Sequence, residues 1–291
     1  MNPSLTLVHD SETDEQCETA HRVFDRSPLR WAGSKRGLAV ELLARLPKFS
    51  GRYIEPFAGG ANLFFALKPA LAILGDVNDD LINFYTVLKL QCSALLQRLS
   101  RLRASRRLYY RFRSSKPRSP LAKAVRFAYL NRLCWNGLYR VNQRGEFNVP
   151  IGNRLPEILW NVRRFRTASI TLRNADLVTG DFEHTLKNAD NGDLVFFDPP
   201  YPRGARLQDA FNRYSSSMWR RDDHIRLSRV AIELAERRAN VIVVLGGQKE
   251  ILNLYPPSFK RSTMTTSALI SCNGAARRKV REVVLTNVLE R

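Results

Sequence analysis

Cysteine is scarce. The four present, Cys17, Cys92, Cys134 and Cys272, stand far apart and form no CxxC pair, so neither a zinc knuckle nor a disulfide framework is expected. The four histidines, His9, His21, His184 and His224, fall at no HExxH or other ligand spacing, and no metal site is expected. No apolar run approaches the roughly 20 residues that cross a bilayer. The N-terminus is polar and acid-rich where a secretory signal would be basic and then apolar. A soluble, cytoplasmic protein with reduced thiols and no membrane partner is the expectation.

Acidic residues are also in short supply. Asp and Glu total 27 against 47 Lys and Arg, a net charge of +20. Such a surface concentrates polyanions, which makes nucleic acid the leading partner ahead of a ribosome or a membrane surface. At 291 residues the chain can build one large domain, or a core domain carrying an insert.

Residues 1–27 lack sustained periodicity and read as a flexible acidic leader. Beyond them, short apolar runs with strand character lie at Arg52–Ile54, Leu71–Leu74, Ser169–Leu172, Leu194–Phe197, Val241–Leu245 and Glu282–Asn287. Helical spacing separates several of them, at Gly37–Leu46, Ala61–Leu67 and Asp222–Arg238. Alternating strands and helices predict an α/β fold with a mainly parallel sheet. Between Asp79 and Thr167 the alternation stops. That interval is mostly helical, rich in Arg and interleaved with aromatics, as in LQRLSRLRASRRLYYRFRSSKPRSP. It reads as an insert whose basic face is either solvated or tracks a phosphate backbone.

Ligands of an open α/β sheet gather beyond the carboxyl ends of its strands. Three stretches sit there. EPFAGGAN follows the first run; Gly59 and Gly60 allow a tight turn, yet neither a phosphate-loop nor a GxGxxG signature is present. GDVNDD follows the second and puts Asp76 where an acid can accept ribose hydroxyls, with Asp79 or Asp80 better suited to capping the next helix. These two features suit a nucleoside cofactor lacking a pyrophosphate. The fourth run ends in DPPY. Pro199 and Pro200 fix φ and remove two backbone donors, leaving the Asp198 carboxylate, the proline carbonyls and the Tyr201 ring. A rigid acceptor cluster beside a flat ring suits the exocyclic amine of a stacked base.

With DPPY downstream of RWAGSK, EPFAGGAN, GDVNDDLI and GDF in this order, the chain resembles the Dam-like (D12 class) DNA adenine-N6 methyltransferases from Arg30 to about Asn287. The segment NRLCWNGLYRVNQRGEFNVPIG is similar to the part of that family that faces DNA. The resemblance implies a Rossmann-like S-adenosylmethionine-dependent methyltransferase sheet formed by 28–78 and 168–291, with 79–167 as a helical target-recognition insert. It implies a bacterial, archaeal or phage setting, a role alone or within restriction-modification, a monomer acting on double-stranded DNA, and GATC as the first target sequence to consider.

For the residues, the resemblance implies catalysis by Asp198, Pro199, Pro200 and Tyr201. S-adenosyl-L-methionine would be held by Trp31 and Lys35 at its methionine end, by Glu55, Pro56, Phe57, Gly59 and Gly60 along the glycine turn, by Asp76 at the ribose, by Asp181 and Phe182 at the adenine, and by Asp198. DNA would meet Arg30, Trp135, Asn136, Leu138, Arg140, Asn142 and Pro150, with Arg140 reading a guanine through two hydrogen bonds. Departures are small: Ala61 stands where many relatives have a third glycine, Ser34 where some have glycine, and Trp135 where Tyr or Phe is usual. A methyltransferase acting on another amine (RNA adenine or protein glutamine), or a catalytically silent DNA-binding regulator, is the alternative.

Overall fold

A computed structural model describes residues 27–31, 39–200, 219–267 and 279–288. After α1 (Ala39–Arg45) the chain runs β1 (Tyr53–Glu55), α2 (Asn62–Leu67), β2 (Ala72–Asp76), α3 (Asp79–Ser100), α4 (Arg106–Ser114), α5 (Pro120–Leu133), α6 (Val162–Leu172) and β3 (Ala175–Thr179). It continues through α7 (Phe182–Thr185), β4 (Leu194–Phe197), α8 (Arg221–Glu236), β5 (Asn240–Gly246), α9 (Lys249–Leu252), β6 (Lys260–Ser267) and β7 (Lys279–Thr286). The sheet has seven strands in the order β3-β2-β1-β4-β5-β7-β6. Only β7 runs antiparallel to its neighbours β5 and β6 among these pairings. This is the Rossmann-like methyltransferase architecture expected from the sequence.

Strand order reverses between β1 and β4, so the crevice of such a sheet opens there. Alternate residues of each strand serve opposite faces. Tyr53, Leu74, Leu194, Phe196 and Val244 pack with Phe64 and Phe65 of α2 and Phe84 and Leu88 of α3. Ile54, Val195, Phe197 and Val243 pack with Leu227, Ala231 and Leu234 of α8. Both faces are covered, which is why these strands read as continuous apolar runs.

One strand was misplaced by periodicity. Ser169–Leu172 ends helix α6, where Phe165, Ala168, Ser169 and Leu172 are buried at helical spacing, and β3 begins only at Ala175. The edge strand β6, KRSTMTTS, was not among the expected runs because its sequence is polar. Asn78, not Asp79 or Asp80, caps α3: its side chain accepts from Leu81 N–H, and both acids lie in the first turn.

Between β2 and β3, α3, α4 and α5 lead to a one-turn 3-10 helix, Trp135–Gly137, and a short hairpin. Tyr109, Tyr129, Leu130, Leu133, Phe147, Val149 and Ile151 form a separate small core there. The helix α6 crosses residue 167 and returns the chain to the sheet. Among the described residues no helix is long and apolar enough to cross a membrane, and no group of three or more His, Cys, Asp or Glu could hold a metal ion.

Candidate active site

Three carboxylates converge where the sheet divides. Glu55 pairs with Leu74 of β2, and the pairing of Ile54 with Val195 sets Phe196 of β4 beside it. Asp76 and Asp198 each lie two residues further on, so with a period of two all three belong to one sheet face. Asp198 is half-buried, Pro199 buried and Pro200 exposed. Glu55 is buried, and Tyr53 Oη donates to its Oε2 across 2.9 Å. Burial lifts the Glu55 carboxyl well above its ordinary range; the Tyr53 hydrogen bond opposes this, and the charges of Asp198 and Asp76 add to it.

Asp76 ties the glycine turn to the sheet. Its Oδ2 accepts from Gly59 N–H and its Oδ1 from Asn78 N–H, both at 2.9 Å. Burial raises its pKa, and the backbone donors pull the other way without cancelling the rise. With Val77 N–H that makes three donors, which do not saturate a carboxylate with about four acceptor positions. Gly59 has φ +45°, and a Cβ there would come within 2.7 Å of Trp31 Nε1. Glycine is therefore required by both conformation and the indole resting on it. Ala61 adopts the same left-handed region, φ 47°, and so carries strain that glycine would avoid. Trp31 in turn stacks on Tyr139 of the insert, ring centroids 6.0 Å apart.

On the other sheet face, Phe57 lies against Phe182 at 5.5 Å and meets Trp219 edge-on at 5.1 Å. Asp181 caps α7 and pairs with Arg226 at 2.7 Å, while the Arg226 guanidinium sits 4.6 Å over the Phe182 ring. Trp219 and Arg226 were missed by sequence reasoning; only their place at the start of α8 hints at them. Lys35 and Tyr201, two of the anticipated residues, lie outside the described residues, as does the leader through residue 26.

The insert brings Arg30 and the WNG turn together. Asn131 grips the Arg30 backbone from both sides, accepting from its N–H at 3.0 Å and donating to its carbonyl at 2.6 Å. Gly137, φ +65°, has no room for a Cβ because Arg30 Cβ would be 2.8 Å away. Asn136 and Pro150 are exposed, and Trp135 and Leu138 half-buried. Exposed Arg140 donates from Nε to Asn148 Oδ1 at 2.8 Å, which leaves its two terminal nitrogens for a ligand. The Asn142 side chain is engaged within its own turn, accepting from Arg144 and Glu146 N–H at 3.0 and 2.9 Å. Beside the hairpin a groove is lined by Arg113, Lys116, Lys123, Arg126 and Arg144 against only Asp80 and Glu146.

The family model for D12 class N6 adenine-specific DNA methyltransferases matches residues 31–267. The chain belongs to this family. The D12 enzyme is 31% identical to "DNA adenine methylase" of Escherichia coli strain K12, over 89% of this chain and 94% of that one. It is 30% identical to "Type II methyltransferase M.MjaIII" of Methanocaldococcus jannaschii, over 89% and 98%. Similarity to "DNA N-6-adenine-methyltransferase" of Escherichia phage P1 reaches 32% identity over 94% of this chain but 37% of that protein. The protein is thus a DNA adenine methyltransferase, and the three strand ends and the hairpin are the geometry within which its chemistry is to be sought.

Proposed function

We propose that this methyltransferase moves a methyl group from S-adenosylmethionine to N6 of an adenine flipped out of duplex DNA, with GATC the first sequence to test. One observation carries it: Asp76 and Asp198 stand level on one sheet face, either side of β1, at the point where strand order reverses. One acid suits a ribose, the other an amine.

The residues present fit a nucleoside cofactor. The Gly59 turn leaves no Cβ under Trp31, Asp76 retains an acceptor position, and Phe57, Phe182 and Trp219 supply an aromatic wall. In this reading Trp31 and Lys35 take the methionine end, Pro56, Phe57 and Gly60 line the turn, and Asp181 and Phe182 hold the adenine. When bound, the cofactor supplies an electrophilic methyl carbon on a cationic sulfur.

Asp198 and the Pro199 carbonyl accept the two N–H bonds of the adenine amine, which draws its lone pair out of conjugation and turns it toward the carbon. Pro199 and Pro200 keep competing donors away, and Tyr201 stacks on the base. Flipping costs a few kcal/mol, offset by phosphate contacts from the basic insert, 79–167, acting as the target-recognition unit. Arg30, Trp135, Asn136, Leu138, Arg140, Asn142 and Pro150 form its DNA side. Labelled-methyl transfer to plasmid DNA tests this. Asp198→Ala should lose at least about 10³-fold in rate while DNA affinity changes by less than about tenfold. Near wild-type methylation by that variant would end the assignment.

A further inference from the structure

Glu55 is a carboxyl group with almost no access to water, 3% exposed, yet it stands one pleat below two other acids. The groups that face it are the Tyr53 hydroxyl on its own strand, Asp76 beyond β2, Asp198 beyond β4, and Tyr85 from α3. The Phe64 N–H of α2 also points to it. Of these, Tyr53 is fully buried and gives Glu55 its 2.9 Å hydrogen bond. Like charges gathered at one sheet mouth disfavour one another's ionised forms, and the proton is held most readily by the member with least solvent. Asp198 is the better hydrated of the pair, being half-buried.

We propose that Tyr53 and Glu55 form a neutral, hydrogen-bonded floor beneath Asp198, with Glu55 keeping its proton at neutral pH so that charge in the methyl-transfer site resides on Asp198. Both are positioning residues: Glu55, expected from the resemblance among the cofactor contacts, is instead buried against Tyr53, neither touches the base, and each acts by fixing the ionisation and placement of the carboxylate above. The inference rests on the role proposed for Asp198. Loss of the Glu55 proton at alkaline pH would set a second buried negative charge under Asp198 and displace its acceptor oxygens from the amine.

Infrared spectroscopy of the full chain at about pH 7 should show a protonated-carboxyl band that disappears in Glu55→Gln; no such band, or its persistence in the variant, overturns the proposal. In steady-state methylation, Glu55→Ala should lower kcat roughly 10- to 100-fold, the loss that slight misplacement of a catalytic group brings. Glu55→Gln should recover most of that loss. Between about pH 6 and about pH 10 the wild-type kcat should fall on the alkaline side and the Gln variant should not; an unchanged alkaline limb, or failure of Gln to rescue, overturns it. Should the variants not fold, carbon-13 titration of labelled glutamates in the wild type decides: one carboxyl titrating above neutrality supports the floor, and all titrating in the ordinary range excludes it. Near wild-type activity in Asp198→Ala would defeat the catalytic role alone, since the infrared result reports on Glu55 itself.

Discussion

Arg140 and Asn148 face one another across the hairpin of the insert and are joined twice: Asn148 N–H donates to the Arg140 carbonyl at 3.0 Å, and Arg140 Nε donates to Asn148 Oδ1 at 2.8 Å. A guanidinium held at Nε is pre-aimed, so in the proposed role its two terminal nitrogens would meet a base edge with less rotamer freedom to lose.

Arg140→Ala should therefore weaken discrimination at one base pair by about 1–3 kcal/mol. Asn148→Ala should weaken it by roughly 1 kcal/mol through looser aim. Methylation rates on duplexes altered one base pair at a time would measure both. Equal losses on every sequence would reassign Arg140 to a phosphate contact.

Binding to DNA should weaken steeply with salt, because each neutralised phosphate releases counterions. Replacing Arg113, Lys123 or Arg144 in the basic groove by Ala should lower the slope of log K against log salt by about 1 per phosphate contact removed. Arg126→Ala should instead cost stability, since its guanidinium is engaged with the Phe112 and Arg113 carbonyls at 2.9 and 3.0 Å. Fluorescence titrations across a salt series, with thermal melts alongside, separate the two outcomes.

Asp76→Ala should raise the cofactor KM while leaving DNA affinity nearly intact. It removes an acceptor from Gly59 N–H and Asn78 N–H, each charge-assisted bond being worth about 1.5–3 kcal/mol. Calorimetric titration with S-adenosylmethionine checks this, and unchanged affinity would show that the turn holds its shape without the acid.

Arg52 and Asp193 lock the entry to β1 against the entry to β4. Asp193 accepts from Arg52 Nη2 and N–H, both at 2.7 Å, and from Asp190 N–H at 3.1 Å. Burial alone would raise its pKa, but the Arg52 hydrogen bonds outweigh it and the net shift is downward. A carboxylate depressed on folding stabilises above its unfolded value of about 3.9, and that stability fades as pH falls through the folded value. Asp193→Ala should cost roughly 3 kcal/mol at neutral pH. The gap in melting temperature from the wild type should narrow toward acid pH.

The place of the acids at strand ends was legible from sequence because the sheet imposes it. An apolar run closed by an acid, as in LVFFD or AILGD, has nowhere to put that acid except at the sheet mouth. The α6 error has a physical cause as well: SITL is rich in β-branched residues, and its burial follows from packing on α3 rather than from its own propensity. The aromatic wall completed by Trp219 was invisible because it joins Phe57, Phe182 and the start of α8, three places far apart in the chain. Likewise the burial of Glu55 under two acids depends on the register of β2 and β4 against β1, which local patterns do not encode.

The grip of Asn131 on the Arg30 backbone has an evolutionary corollary. Arg30 and the tryptophan after it precede the first strand, but their seat is carved by the helical segment about a hundred residues later. If that segment reads the target as proposed, exchanging it alone would strand the transplanted hairpin without its anchor, and the Arg30 piece would have to travel with it.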